Sequence, residues 1–329
     1  MNIVFFGNSK YSVIDAEVLH AHFGLITIVT IPDRQTSKQL IQSPTKKFAI
    51  GNNIPVITVD KLTSEIVEQI RNLKPDFLIV ADYGLILPSK LLQVPKFAAL
   101  NVHHSLLPKF RGPAPVPATL LSGDTISGVT IIVMNNKVDA GDILAQKRYD
   151  LKPDDTTDSL LTELNKLGAQ AVIEVIKNYK NIKHIKQDES QATFTKYMSK
   201  QDGYIDADNP PEPEKLDRMI RAYYPWPGVW TLCKLEKSRL HGKIIKFLPL
   251  SRHCEERGTS DAAIPSSLAQ ITNNEIASPP IQSGIRKDAT FLMQVEGKRP
   301  MSYKDFLNGY PEAKQWLERL IQKQKVQTA

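Results

Sequence analysis

The sequence predicts an α/β protein: a doubly wound, mostly parallel sheet followed by a small C-terminal β-barrel domain. Three observations carry that prediction. Short, near-continuous apolar runs alternate with amphipathic stretches through the first half of the chain, as parallel strands covered by helices on both faces require. The acidic, proline-rich stretch Asp206-Ala207-Asp208-Asn209-Pro210-Pro211-Glu212-Pro213 marks a shift in composition, as a linker does. The length, 329 residues, suits two domains better than one. The expected division is 1–205 and 206–329.

The elements follow in order. The run Ile3–Phe6 ends at Gly7 and reads as a first strand. Residues 26–31, stopped by Pro32, and residues 55–59, 77–80 and 98–102 read as four more. Ser64–Asn72 and Ser89–Leu92 read as helices between them. Ligands bind such sheets outside the carboxyl ends of the strands, so the loops after Phe6, Val80 and Val102 are the expected place for a site. Residues 129–134 and 143–149 read as two strands around a turn holding Asp139-Ala140-Gly141. A long helix is predicted over Thr157–Asn178, where Leu160, Leu164, Leu167, Ala171 and Val175 recur on one face. Asp154 and Asp155 sit near its start, as the helix dipole favours. Past the linker come a short helix over 214–222, an aromatic-proline turn over 223–230, and strands over 243–248 and Phe291–Val295. The polar stretch 251–289 shows no sustained period and reads as a loop or insertion outside any site.

Composition narrows the function classes. No apolar run reaches the roughly 18 residues that a membrane span needs. The N-terminus lacks a basic region ahead of an apolar stretch and reads as a strand rather than a signal peptide. The two cysteines, Cys233 and Cys254, fit neither a disulfide framework nor a zinc site. A cytoplasmic, monomeric protein without metal is expected. The net charge is +7, and residues 231–329 hold 16 Lys and Arg against 10 Asp and Glu. That excess points either to a polyanionic partner or to a well-solvated surface. Gly7-Asn8-Ser9-Lys10 lacks the further glycines of a dinucleotide fingerprint, which disfavours a nicotinamide enzyme.

The residues that could carry chemistry concentrate in one segment. In Leu100-Asn101-Val102-His103-His104-Ser105-Leu106-Leu107-Pro108-Lys109-Phe110-Arg111-Gly112-Pro113-Ala114-Pro115, a strand presents Asn101 and His103 two apart, and a rigid Pro/Gly-rich loop follows. Side chains two apart on a strand share a face. In Val138-Asp139-Ala140-Gly141-Asp142 a carboxylate occupies a tight turn after another strand. The trio suits acyl transfer to an amine. Asn101 can donate to a developing oxyanion. His103 can stabilise it and pass a proton. Asp139 can orient the imidazole and raise its pKa. A histidine after a strand is, alone, more often structural; His104, facing away from His103, is read that way.

These motifs resemble the signature of the folate-dependent formyltransferases, a Rossmann-like family. The resemblance rests on Asn101-Val102-His103-x-Ser105-Leu106-Leu107-Pro108 with Arg111-Gly112, and on Asp139-Ala140-Gly141-Asp142. It continues through Ile31-Pro32-Asp33-Arg34, Ser43-Pro44 and Tyr83-Gly84-Leu85-Ile86-Leu87-Pro88. Past the linker, Ile220-Arg221-Ala222-Tyr223-Tyr224-Pro225-Trp226-Pro227 is similar to the junction of the methionyl-tRNA formyltransferases. The resemblance implies 10-formyltetrahydrofolate as donor and initiator methionyl-tRNA as acceptor, with an amino-sugar nucleotide or another small amine as the alternative acceptor. It implies Asn101, His103 and Asp139 as catalytic residues. It places folate against Tyr83, Gly84, Leu85, Ile86, Leu87 and Pro88 and against Ser105, Leu106, Leu107 and Pro108. It assigns Arg34, Lys38, Arg111 and Gly112 to the acceptor. Lys38 is the only charge in the short loop Gln35-Thr36-Ser37-Lys38-Gln39-Leu40.

Overall fold

The structure, a computed structural model, describes residues 1–35, 39–250 and 291–322. Lys38, expected at the acceptor, and the stretch 251–289, expected to be a loop or insertion, lie outside the described residues. The chain divides into two compact units: residues 1–203 with 221–227, and residues 204–220 with 228–329.

The first unit is built on β1 (Ile3–Phe6), α1 (Ser12–Phe23), β2 (Leu25–Thr30), the short hairpin β3 (Arg34–Gln35) and β4 (Leu40–Ile41), and α2 (Pro44–Gly51). It continues with β5 (Val56–Thr58), α3 (Ser64–Asn72), β6 (Phe77–Ala81), α4 (Ser89–Leu92) and β7 (Ala98–His103). It closes with α5 (Pro115–Ser122), β8 (Ile126–Val133), β9 (Ile143–Asp150) and α6 (Thr157–Asn178). The main sheet runs β5-β2-β1-β6-β7-β8-β9. Its first five strands are parallel, and β8 and β9 add an antiparallel edge. The chain goes outward from β1 to β2 and β5, then returns to the other side of β1 with β6. The crevice at the carboxyl ends of β1 and β6 is therefore a topological switch point.

Two apolar layers sandwich the sheet. On one face Ile3, Phe5, Phe77, Ile79, Leu100 and Val102 pack with Leu19 of α1 and Ala171, Val172 and Val175 of α6. On the other, Val4, Phe6, Leu78 and Val80 pack with Val67 and Ile70 of α3 and Leu91 of α4. The long α6 has the predicted bounds because its start is doubly sealed. Thr156 Oγ1 accepts from the Ser159 backbone N–H, and Ser159 Oγ answers with the Thr156 N–H, the reciprocal pairing of a capping box.

Three helices of the first unit, α1, α2 and α5, were not legible. α1 buries Ser12 and Asp15 beside Ala16 and Leu19, so its inner face carries no apolar stripe. α5 begins at Pro115, inside what reads as a Pro/Gly-rich loop; proline is tolerated in a first helical turn, where no intrahelical N–H bond is lost.

The second unit holds α7 (Pro213–Ala222), whose last two residues belong to the first unit, then β10 (Val229–Leu232), β11 (Ile244–Pro249), β12 (Phe291–Val295), α8 (Tyr303–Gly309) and α9 (Lys314–Gln322). Its described strands form a three-stranded antiparallel sheet, β10-β11-β12. Val229, Thr231, Ile245, Phe247, Phe291, Met293 and Val295 are buried, so each strand alternates inward and outward as a sheet with one covered face does.

Candidate functional site

β7 ends beside the switch point and presents Asn101 and His103 on one face. The face is fixed because Leu100 and Val102 are taken up by the apolar layer under α6, and alternation sends their neighbours the other way. Across from them, the turn between β8 and β9 carries Asp139 at φ +50°, a left-handed conformation in which non-glycine residues are uncommon. Its carboxylate draws the site together. Asp139 Oδ1 accepts from Asn101 Nδ2 at 3.1 Å. Oδ2 accepts from the Gly112 backbone N–H at 2.8 Å and lies 3.5 Å from His103 Nδ1. The expected trio is thus one cluster, joined by a backbone donor from the Arg111-Gly112 motif.

The hydrogen-bond partners fix what each group can do. A carbonyl only accepts, so His103 Nε2, 3.1 Å from the Phe110 carbonyl oxygen, carries a proton. In the neutral ring the free lone pair is then on Nδ1, facing Asp139. Burial pushes the pKa of His103 below its ordinary value; Asp139, the Phe110 carbonyl and Asp82 pull it up, and His104 adds to the lowering. The expectation that Asp139 raises this pKa holds for the pairwise effect only: desolvation of a fully enclosed ring outweighs it. Asn101 turns its NH₂ to the carboxylate because only that end can donate. One of its two hydrogens is used, and the second is available to an oxygen in the cleft.

The shell around Asp139 comes from a segment with no period in the sequence. Gln187 Nε2 donates to the carbonyls of Asp139 at 2.8 Å and Gly141 at 2.7 Å, clamping the turn from behind. Gln187 Oε1 accepts from Arg111 Nε and Nη2. Arg111, assigned to the acceptor by its motif, has a different occupation. It is only 2% exposed, pairs with both oxygens of Glu189 at 2.9 and 3.0 Å, and lies against the Phe194 ring. With its donors so taken, the guanidinium braces the loop beside Asp139. Gly112 contributes its backbone N–H rather than a surface. Arg34 is exposed on the β3–β4 hairpin, after a strand three places from β7 in the sheet.

The two expected folate segments differ in character. In residues 83–88, Tyr83 packs edge-on against Phe6, its hydroxyl is enclosed, and burial pushes its pKa up to about 12. Leu87 is buried, Leu85 and Pro88 are half-buried, Gly84 is exposed, and Ile86 at the tip is 82% exposed. In residues 105–108, Ser105 and Leu107 are buried while Leu106 and Pro108 are half-buried. Ser105 Oγ donates to the Lys109 carbonyl, and Leu107 joins Ile132 and Ile143 in a small core. Thr130 receives the Leu107 N–H and donates to the Ser105 carbonyl, so this loop is pinned to β8. Ser105 and Leu107 face inward.

Reasoning from sequence missed Gln187 and the pairing of His104 with Asp82, whose Nδ1 and Oδ1 are 3.4 Å apart. A histidine and an aspartate at the ends of two adjacent parallel strands were a usable signal.

Comparison with known proteins gives the same frame. Residues 1–176 match the family described as formyl transferase, and residues 197–311 match its C-terminal domain. A methionyl-tRNA formyltransferase from Chloroflexus aggregans is 37% identical over 318 residues, covering 94% of this chain and 97% of the relative. One from Caldicellulosiruptor saccharolyticus is 33% identical over 322 residues, with the same coverage. Among solved structures, a 4-N formyltransferase from Francisella tularensis superimposes with a TM-score of 0.58 over 75% of this chain and 96% of its own, at 17% identity. At that identity the likeness speaks to the fold. With both domain families in order along the chain and full-length relatives at 33–37% identity, the protein belongs to the methionyl-tRNA formyltransferase family.

Proposed function

We propose that this protein transfers the formyl group of 10-formyltetrahydrofolate to the α-amine of initiator methionyl-tRNA. The observation that carries the reading is the Asp139 carboxylate gathering Asn101, His103 and the Gly112 N–H where β7 ends. The naming of the full-length relatives and the positive excess in residues 231–329 favour a tRNA acceptor.

Residues 83–88 support a folate site. Among the described residues, the backbone N–H groups of Gly84, Leu85, Ile86 and Leu87 have no hydrogen-bond partner, and they follow directly on β6. Such a row of donors suits the acceptor atoms on the edge of a planar ring. A HypX structure from Aquifex aeolicus in complex with tetrahydrofolic acid shares the fold, with a TM-score of 0.53 at 18% identity.

The chemistry follows from the geometry. The amine lone pair attacks the formyl carbon, a carbon–nitrogen bond forms, and negative charge moves to the formyl oxygen. The second hydrogen of Asn101 Nδ2 donates to that oxygen, a preorganised contact that strengthens as charge develops. His103 Nδ1 accepts the amine proton, and the resulting imidazolium is stabilised by Asp139. The proton then goes to N10 of the folate as the bond from N10 to the formyl carbon breaks. Formyl-methionyl-tRNA and tetrahydrofolate leave. A charged tRNA acceptor supports a cytoplasmic location.

The test offers 10-formyltetrahydrofolate with charged initiator tRNA, elongator methionyl-tRNA or an amino-sugar nucleotide in parallel. Formylation of initiator tRNA alone is expected; transfer only to the sugar nucleotide would overturn the acceptor and keep the trio. In the same assay, Asn101→Ala is expected to lower kcat by about 100- to 1,000-fold, the usual loss for one oxyanion donor. Near-full turnover would remove Asn101 from the mechanism.

A further inference from the structure

A second carboxylate sits beside the site and takes no part in the bond-making and bond-breaking steps. Asp82 follows β6 directly and precedes the folate loop. Its Oδ2 accepts from Ser9 Oγ at 2.9 Å, and its Oδ1 lies 3.4 Å from His104 Nδ1. Ser9 is itself fixed: its Oγ accepts from the backbone N–H groups of Tyr11 and Ser12 at the start of α1. His104 is buried at the end of β7. One side chain therefore ties together the loops that leave β1, β6 and β7, three adjacent strands of the sheet.

The backbone at Asp82 matters as much as the carboxylate. Its φ is +46°, in the left-handed region that disfavours residues with a Cβ. That turn redirects the chain from β6 into residues 83–88. A left-handed aspartate persists where its surroundings over-determine it, and here those surroundings are Ser9 and His104. Within residues 83–88 the anchors are apolar: the Tyr83 ring on Phe6 and the buried Leu87. Apolar anchors fix depth, whereas hydrogen bonds fix direction.

We propose that Asp82 is a positioning residue for the donor: strapped to Ser9 and His104, it sets the direction in which residues 83–88 leave β6 and so presents their backbone to the folate. This role rests on the proposal that the site is a formyl-transfer site with folate at residues 83–88. Asp82 does not touch the reacting atoms. Its removal acts on donor binding and on the order of the loop, and spares the chemical step at saturation.

The test compares the wild type with Asp82→Gly, Asp82→Asn and Ser9→Ala. Glycine removes the carboxylate and relieves the left-handed backbone, so that strain does not confuse the result. Asparagine keeps an acceptor and tolerates that backbone. Three quantities are measured on each full-length protein: amide hydrogen exchange of residues 83–87, KM for 10-formyltetrahydrofolate with kcat, and binding of the unreactive 5-formyltetrahydrofolate by calorimetry. For Asp82→Gly, donor KM and the 5-formyltetrahydrofolate Kd are expected to rise about tenfold, the equivalent of one charge-assisted hydrogen bond. Exchange in the loop quickens, and kcat stays within about twofold, as loss of uniform binding requires. Asp82→Asn restores most of the affinity, and Ser9→Ala falls between. Unchanged exchange and KM in Asp82→Gly would overturn the proposal, as would a fall in kcat at unchanged KM. Failure of the wild type to bind 5-formyltetrahydrofolate would overturn the functional reading and the loop's assignment together, an outcome separate from a wild type that binds and an Asp82→Gly that binds equally well.

Discussion

At the scale of the residue, two buried ionisable groups set the expected pH dependence of the site and of the fold. His103 is enclosed but keeps a carboxylate 3.5 Å from Nδ1, and burial still wins, so its pKa lies below the ordinary histidine value. Burial thus favours the neutral imidazole, with Nδ1 on the side of Asp139. The acid limb of kcat/KM is therefore expected to have its midpoint below about 6.5, the unperturbed value. Asp139→Asn removes the charge that pulls this pKa up, so the limb moves to still lower pH while kcat falls; a pH–rate profile of both proteins checks the pair of shifts. Asp15 of α1 has the opposite problem. It is wholly buried, neither carboxyl oxygen has a hydrogen-bond partner among the described residues, and burial, with the charge of Asp82 second, raises its pKa well above the ordinary value. The native state then holds this proton more tightly than the unfolded chain does. Where the native state binds more protons, stability falls as pH rises. The loss begins above about pH 4, the unfolded aspartate range, and continues up to the raised native value. Asp15→Asn cannot ionise, so its Tm relative to wild type is expected to climb as pH rises above about 4. Thermal melts across that range test it, and a flat difference would mean that Asp15 is paired.

At the scale of the element, the β8–β9 turn decides whether Asp139 reaches the trio. Gly141 is required there by contact. A Cβ at that position would stand 1.7 Å from the Val133 carbonyl oxygen and 2.8 Å from its carbon, and both belong to the backbone of β8. Gly141→Ala must move the turn, and a displacement near 1 Å at a positioning group costs about 100-fold in rate. Gly51, exposed at the end of α2, is the control: a Cβ there meets nothing within 4 Å. Turnover assays of the two variants are expected to show a large loss for Gly141→Ala and little change for Gly51→Ala. The same turn shows how far the sequence could be read. Asp139 was legible because aspartate and glycine in a tight turn form a local signal. Gln187, which clamps the turn from 46 and 48 residues away, was not, because a side-chain amide bonding to carbonyls leaves no periodic trace. Arg111 stood out in the sequence, but its role did not: its motif is local, whereas its partners Glu189 and Gln187 are brought to it by the fold.

At the scale of the whole molecule, the charge separates the two candidate acceptors. A polyanion bound through lysine and arginine releases counterions, so its affinity falls steeply with salt; an amino-sugar nucleotide, with far fewer phosphates to contact, depends on salt much less. KM for charged tRNA is expected to rise with ionic strength, with a log–log slope of about 0.7–0.9 for each phosphate contacted. KM for the folate donor serves as the reference and should move far less. Equal slopes for the two substrates would remove the electrostatic argument for tRNA. The described part of the short loop after β2 offers one basic side chain, Arg34.

The sequence alone determined the sheet, the face of β7 that carries Asn101 and His103, and the place of Asp139 in a turn. These rest on local rules: apolar runs, alternation along a strand, and turn chemistry. The tertiary structure alone decided the protonation of His103, the diversion of Arg111 into a brace, and the strap from Ser9 through Asp82 to His104. Desolvation depends on everything packed around a group, and a buried hydrogen bond depends on a partner that the fold, and not the neighbouring sequence, brings within about 3 Å.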